Sequence, residues 1–163
     1  MSRLVIELEN VLALLIEEHR RLLGHLQTQQ EAMKKLQHGA MEESLHKQEA
    51  SRLRIIGLEN RRRFLVQQIA KASRLAADAT LAEIAQASGP SGSKLLQLRD
   101  QLRAIMREIA DRAVVAGRLA QAVLGHLNTA MRLFADAVGQ AGTYTKYGVP
   151  RVSARIGVME AVG

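Results

Sequence analysis

The chain has 163 residues, 47% of them apolar and only 2% aromatic, with two prolines and no cysteine, enough for one ordinary domain and little more. Leu, Ala, Arg, Gln and Glu dominate, and these residues keep much of their side-chain freedom in a helix. The β-branched and aromatic runs of a sandwich are missing, and collagen-like, disulfide-framework and low-hydrophobicity disordered classes are excluded. The formal net charge of +7 raises nucleic acid as a partner. Its distribution argues against it: residues 1–45 carry −2, 46–86 carry +4, 87–140 carry +3 and 141–163 carry +2. The one dense cluster, Arg61-Arg62-Arg63, turns through roughly 200° of a helix and cannot follow one phosphate track.

The first predicted helix covers residues 2–37. Leu4, Leu8, Val11, Leu12, Leu15, Leu22, Leu26, Met33 and Leu36 recur at spacings of three, four and seven, one apolar stripe at helical period. His19, Gln29 and Gln30 interrupt the seam, which favours a bundle with mixed packing over a strict two-stranded coiled coil. The apolar run Val11–Ile16 follows Glu7 and Glu9 and precedes Glu17-Glu18, the reverse of a secretory signal's charge pattern. It is also far short of the ~20 residues that cross a bilayer, so neither a cleaved signal nor membrane insertion is expected.

Gly39 is expected to break the pattern, followed by a second helix over residues 41–77 with Leu45, Leu53, Ile55, Ile56, Leu58, Phe64, Leu65, Ile69 and Leu75 as its stripe. Gly57 inside it suggests a close helix approach. Thr80-Leu81-Ala82-Glu83 fits a capping box opening a short helix. Ser88-Gly89-Pro90-Ser91-Gly92-Ser93 is the strongest loop, with Ser93 as cap of a third long helix over residues 94–138. Its stripe is Leu95, Leu98, Leu102, Ile105, Ile109, Val115 (or Val114), Leu119, Val123, Leu127, Met131, Phe134 and Val138. Residues 139–163 hold five glycines, Pro150 and both tyrosines and read as a flexible tail. The expected fold is therefore all-α: an elongated, coiled-coil-like antiparallel bundle of three long helices, with a short extra helix. A helical domain at 1–138 is followed by a tail at 139–163.

Catalytic and cofactor motifs fail on spacing. Gly89–Lys94 lacks the glycine spacing and preceding strand of a phosphate loop. No two histidines lie three or four apart, as a helical metal site would require. No serine sits in a nucleophile elbow, and the carboxylates are expected on exposed helix faces. No cofactor, no metal and no catalysis are expected. What remains is apolar surface. The third helix is about ten residues longer than its partners, which leaves Leu127, Met131, Phe134 and Val138 without an evident cover. Docking of another amphipathic helix and covering by the chain itself or a second copy both remain open.

Several strings in order resemble the FlgN family of flagellar type III export chaperones. They are Glu17-Glu18-His19-Arg20-Arg21-Leu22-Leu23, His46-Lys47-Gln48-Glu49-Ala50, Leu58-Glu59-Asn60-Arg61-Arg62-Arg63-Phe64-Leu65, Thr80-Leu81-Ala82-Glu83-Ile84, and Leu95 to Leu102 with Leu124-x-x-Leu127. After the third helix, Thr143-Tyr144-Thr145-Lys146-Tyr147-Gly148 resembles that family's Tyr-x-x-x-Gly signature. The resemblance implies a cytoplasmic chaperone without ATPase activity. It would bind the C-terminal helices of hook-associated (hook–filament junction) proteins, keep them unpolymerised and pass them to the export apparatus. The candidate client-binding residues are Leu119, Val123, Leu127, Met131, Phe134, Tyr144, Tyr147 and Gly148. A self-associating coiled-coil homodimer and, behind it, a basic helical nucleic-acid-binding protein stay as alternatives.

Overall fold

A computed structural model describes residues 2–76 and 78–141, with side chains from Arg3 to Val138. Of the described residues, 92% are helical and none lies in a strand. The elements are α1 (Ser2–Lys34), α2 (His38–Ala72), α3 (Leu81–Ala87), a 3-10 turn (Gly89–Ser91) and α4 (Gly92–Ala141). The chain divides into two compact units between Ala120 and Gln121, within α4. The tail expected from Gly139 lies outside the described residues, apart from the backbone of the three that finish α4.

The first unit is a three-helix bundle. Cross-links at Glu7–Arg61, Glu18–Arg54 and Gln29–Gln48 set α2 antiparallel to α1. Lys94–Glu9 and Gln30–Arg112 set α4 parallel to it. The inward positions of α1 are Val5, Leu8, Leu12, Leu15, His19, Leu22, Leu26 and Gln29, all buried. They alternate in steps of three and four, the 3.5-residue period that keeps one seam facing its partners. The inward positions of α4 keep the same steps through Leu95, Leu98, Leu102, Ile105, Ile109, Arg112 and Ala116. Arg112 and Ala116 thus stand where the sequence pattern suggested Val114 or Val115, and both valines are exposed.

On α2 the inward set departs from the expected stripe. Ser44, Gln48 and Ser51 are buried in its first half and Leu65, Val66, Ile69 and Ala70 in its second, while Leu45, Leu53, Ile56 and Phe64 are exposed. The backbones of α1 and α2 approach closely, and a small hydroxyl side chain fits such an approach where leucine does not. The apolar core gathers at the other end, where Leu8, Leu12, Leu15, Leu65, Ile69, Ile84 and Leu95 are fully buried. There α3 closes the bundle by inserting Ile84 and Ala85. The capping box holds it in place. The Glu83 backbone N–H donates to the Thr80 hydroxyl at 3.3 Å, and the Thr80 N–H donates to the Glu83 carboxylate at 2.7 Å.

The helix ends differ from expectation in their chemistry. The chain turns at Leu36, with φ 53, and not at Gly39, which lies in the first turn of α2. The Gln37 N–H donates to the Ala32 carbonyl at 2.9 Å and the Leu36 N–H to the Met33 carbonyl at 3.1 Å, the two bonds of a Schellman C-cap. Arg74, φ 58, makes the same motif after α2, with Leu75 N–H to Ala70 carbonyl and Arg74 N–H to Lys71 carbonyl at 2.9 and 3.3 Å. A non-glycine residue in this left-handed conformation costs roughly 1–2 kcal/mol. α4 starts at Gly92, and the Ser93 hydroxyl donates to the Pro90 carbonyl rather than capping the helix.

Two glycines make opposite predictions. A Cβ added at Gly92 would run into the Ala85 backbone carbonyl of α3, whereas one at Gly57 would meet nothing. Gly57 therefore marks no close approach. In denaturant melts, Gly57→Ala should stabilise by about 1 kcal/mol, and Gly92→Ala should destabilise by about 1–3 kcal/mol as α3 is pushed off the bundle. Leu36→Gly should gain up to about 1 kcal/mol by relieving the left-handed residue.

Candidate protein-docking surface

Several charged side chains of the first unit are paired within it. Glu9 and Glu18 are buried, against the expectation of exposed carboxylates, because α1 is covered by both neighbours. Each is matched by a cation: Lys94 Nζ lies 2.6 Å from Glu9, and Arg54 Nε donates to Glu18 at 2.9 Å. Gln48 donates to Gln29 at 3.0 Å, Gln30 donates to the Arg112 carbonyl at 2.9 Å, and His19 Nδ1 sits 2.7 Å from the Leu15 carbonyl. Among the described residues no buried side-chain polar atom lacks a partner. Of the triple arginine, Arg61 pairs with Glu7 and lies over the Phe64 ring at 5.6 Å, and Arg62 grips Glu59. Arg61 thus links α2 to α1, and Arg62 pairs within α2. Among the described residues, no group of three or more His, Cys, Asp or Glu could hold a metal, and no helix is long and apolar enough to cross a membrane.

The described part of the second unit is the stretch of α4 from Gln121 to Ala141. Leu124, Leu127, Met131, Phe134 and Val138 recur there in steps of three and four, on one face some 20 Å long at 1.5 Å per residue. All five are exposed: Leu127 53%, Met131 72% and Phe134 73%. The helix positions beside this row hold Val123, Asn128, Ala130, Ala135 and Ala137, so no charge flanks it. Arg132 and Asp136 lie round the helix from the row, and the Thr129 hydroxyl is taken up by the Gly125 carbonyl at 3.0 Å. A contiguous apolar face of this kind is what an amphipathic helix docks against.

The sequence-predicted client residues fall into three places. Leu119 and Val123 are half-buried and extend the inward steps of Arg112 and Ala116. Leu127, Met131 and Phe134 share the exposed row. Tyr144, Tyr147 and Gly148 lie outside the described residues. Leu124, missing from the predicted set, opens the row. The signal for it was the switch in register from 119–123 to 124–127, which a single continuous stripe conceals.

Fold and composition define an all-α helical bundle protein with a bare apolar helix face. The family model described as FlgN protein matches residues 1–151, and the chain belongs to the FlgN family, the flagellar export chaperones. No curated protein and no solved structure matches it.

Glu18 supplies a pH-dependent test of the polar layer. Burial raises its carboxyl pKa, but donors from Ser51 and Arg54 and the charges of Arg54 and Arg21 more than offset this and hold it below the usual carboxylate range. A folded pKa below the unfolded value of 4.5 gives stability that is fully present above that value and is lost as pH falls through the folded pKa. Thermal melts from about pH 3 to 7 should show a shallower acid limb in Glu18→Gln than in the parent chain.

Proposed function

We propose that the chain is a cytoplasmic chaperone that binds the C-terminal amphipathic helices of hook-associated flagellar proteins, keeps them from polymerising and hands them to the export apparatus. The observation that carries this reading is the exposed row Leu127, Met131 and Phe134, in a chain of the flagellar export chaperone family. A client helix that is aggregation-prone alone gains from this face the apolar partner it lacks. Each buried Leu, Met or Phe contributes about 1.5–3 kcal/mol, and the uncharged flanks leave little for salt to screen. Residues 142–163 join the site in this reading: Tyr144, Tyr147 and Gly148 fold over the docked helix, part of the binding energy going into ordering them.

Replacing Leu127, Met131 and Phe134 together with Ser should weaken binding of a hook-associated protein's C-terminal fragment at least about a hundredfold, with the melting temperature unchanged because the three side chains are already exposed. Loss of the cooperative melt would return them to the core and remove the docking role. Deleting Tyr144 onward should weaken the same binding without moving the melt, and full-strength binding by the truncated chain would rule the tail out.

A further inference from the structure

In the first unit α2 and α4 run antiparallel to each other beside α1. The cleft between them has α1 as its floor, at His19 and Leu22, with Ile55 and Ile56 on the α2 wall and Met106 and Ile109 on the α4 wall, and a volume of ≈ 420 Å³. Met106 also lines a second opening of ≈ 520 Å³, which extends past Leu102 toward α3. Together the openings follow α4 from Arg99 to Ala110, about 16 Å or three helical turns. Ile56 and Met106 stand 56% and 51% exposed across the gap.

Charge at the rim is one-sided. Arg52 lines one end, and Arg62, Arg99 and Arg103 line the other. The one carboxylate in the lining, Glu59, is already held by Arg62 at 2.9 Å. Among the described residues Arg52 and Arg103 have no ion-pair partner, and Arg99 engages only the exposed Asp100, at 2.8 Å.

We propose that this cleft docks an amphipathic helix of a partner protein, three to four turns long, whose apolar ridge is flanked by Asp or Glu. Ridge side chains fill the space between Ile56 and Met106, and acidic flanks meet Arg52 at one end and Arg103 at the other, where charge-assisted bonds form. The docked helix lies along the gap between α2 and α4, above the buried floor at His19 and Leu22, as the fourth member of the bundle. Charge disfavours two other occupants. The chain's own residues 142–163 carry Lys146, Arg151 and Arg155 against Glu160 alone, so they would bring like charge to the arginines. A second copy joined through the same face about a two-fold axis would set arginine against arginine. The surface is separate from the α4 row of the proposed client site and does not depend on that reading.

The test uses the full chain and two synthetic helical peptides with one shared leucine ridge, flanked by Glu in the first and Lys in the second, followed by fluorescence anisotropy. The Glu peptide should bind, the Lys peptide at least tenfold more weakly, and raising salt from about 50 to 200 mM should weaken the Glu peptide. Arg52→Glu with Arg103→Glu should reverse the preference. Ile56→Ser with Met106→Ser should abolish binding of the Glu peptide while the melt stays cooperative. Leu127→Ser with Met131→Ser and Phe134→Ser should leave Glu-peptide binding intact. Equal affinity for both peptides, binding of neither, or a preference that survives the double charge reversal would overturn the proposal. Loss of binding in the 127/131/134 variant would assign the peptide to the α4 row instead. A dimer in sedimentation that disappears with Ile56→Ser and Met106→Ser would give the cleft to a second copy. The last two outcomes also overturn the proposal.

Discussion

Because α1 is flanked by α2 and α4 at once, its buried surface cannot be a single apolar line. The steps of three and four from Val5 to Gln29 serve one seam, and Glu9, Ile16, Glu18 and Gln30 fall beside it, where a lone amphipathic helix would meet water. Two carboxylates inside a bundle are tolerable only if each finds a cation with good geometry, and Lys94 and Arg54 supply those charges from different helices. The placement of α2 and α4 therefore follows from what α1 buries as much as from leucine packing.

The two candidate surfaces rest on different physics. The row at Leu127, Met131 and Phe134 has no charge beside it and can recognise only apolar shape. The cleft at Ile56 and Met106 is ringed by arginines and discriminates by charge. Apolar burial alone gives affinity with modest selectivity. Charge at the rim acts on encounter rate and on the rejection of wrong partners.

Much of the helical architecture was legible in the sequence because Leu8, Leu12, Leu15 and Leu95 announce an apolar seam by spacing alone, and Thr80 with Glu83 writes a capping box in four letters. The first half of α2 was misread for a physical reason. Leu45 and Leu53 carry the hydrophobicity, but the space left by a close helix neighbour selects Ser44 and Ser51, and volume leaves no mark in a periodicity. Leu36 escaped notice because left-handed residues are looked for at Gly and Asn, and Gly39 stood three positions away. The exposure of Leu127, Met131 and Phe134 could be anticipated because the third helix outreaches the other two. The register change between Val123 and Leu124 could not, since both belong to one run of apolar residues.

The amide pair Gln29–Gln48 has a consequence for how the chain finds its fold. A leucine seam by itself is nearly degenerate to a slide of one heptad, and between α2 and α1 the buried layer at Ser44, Gln48 and Ser51 breaks that degeneracy. Such a slip would bring Met41 or Ile55 opposite Gln29, leaving amide groups dry with no partner, a penalty of about 1–3 kcal/mol for each unsatisfied group. Nearby, Glu18 would exchange Arg54 for Arg61 or Lys47, at the expense of the links those two residues make with Glu7 and Glu43. The polar layer thus acts as a proofreading mark on the α1–α2 hairpin, so that a misaligned hairpin is the less stable one.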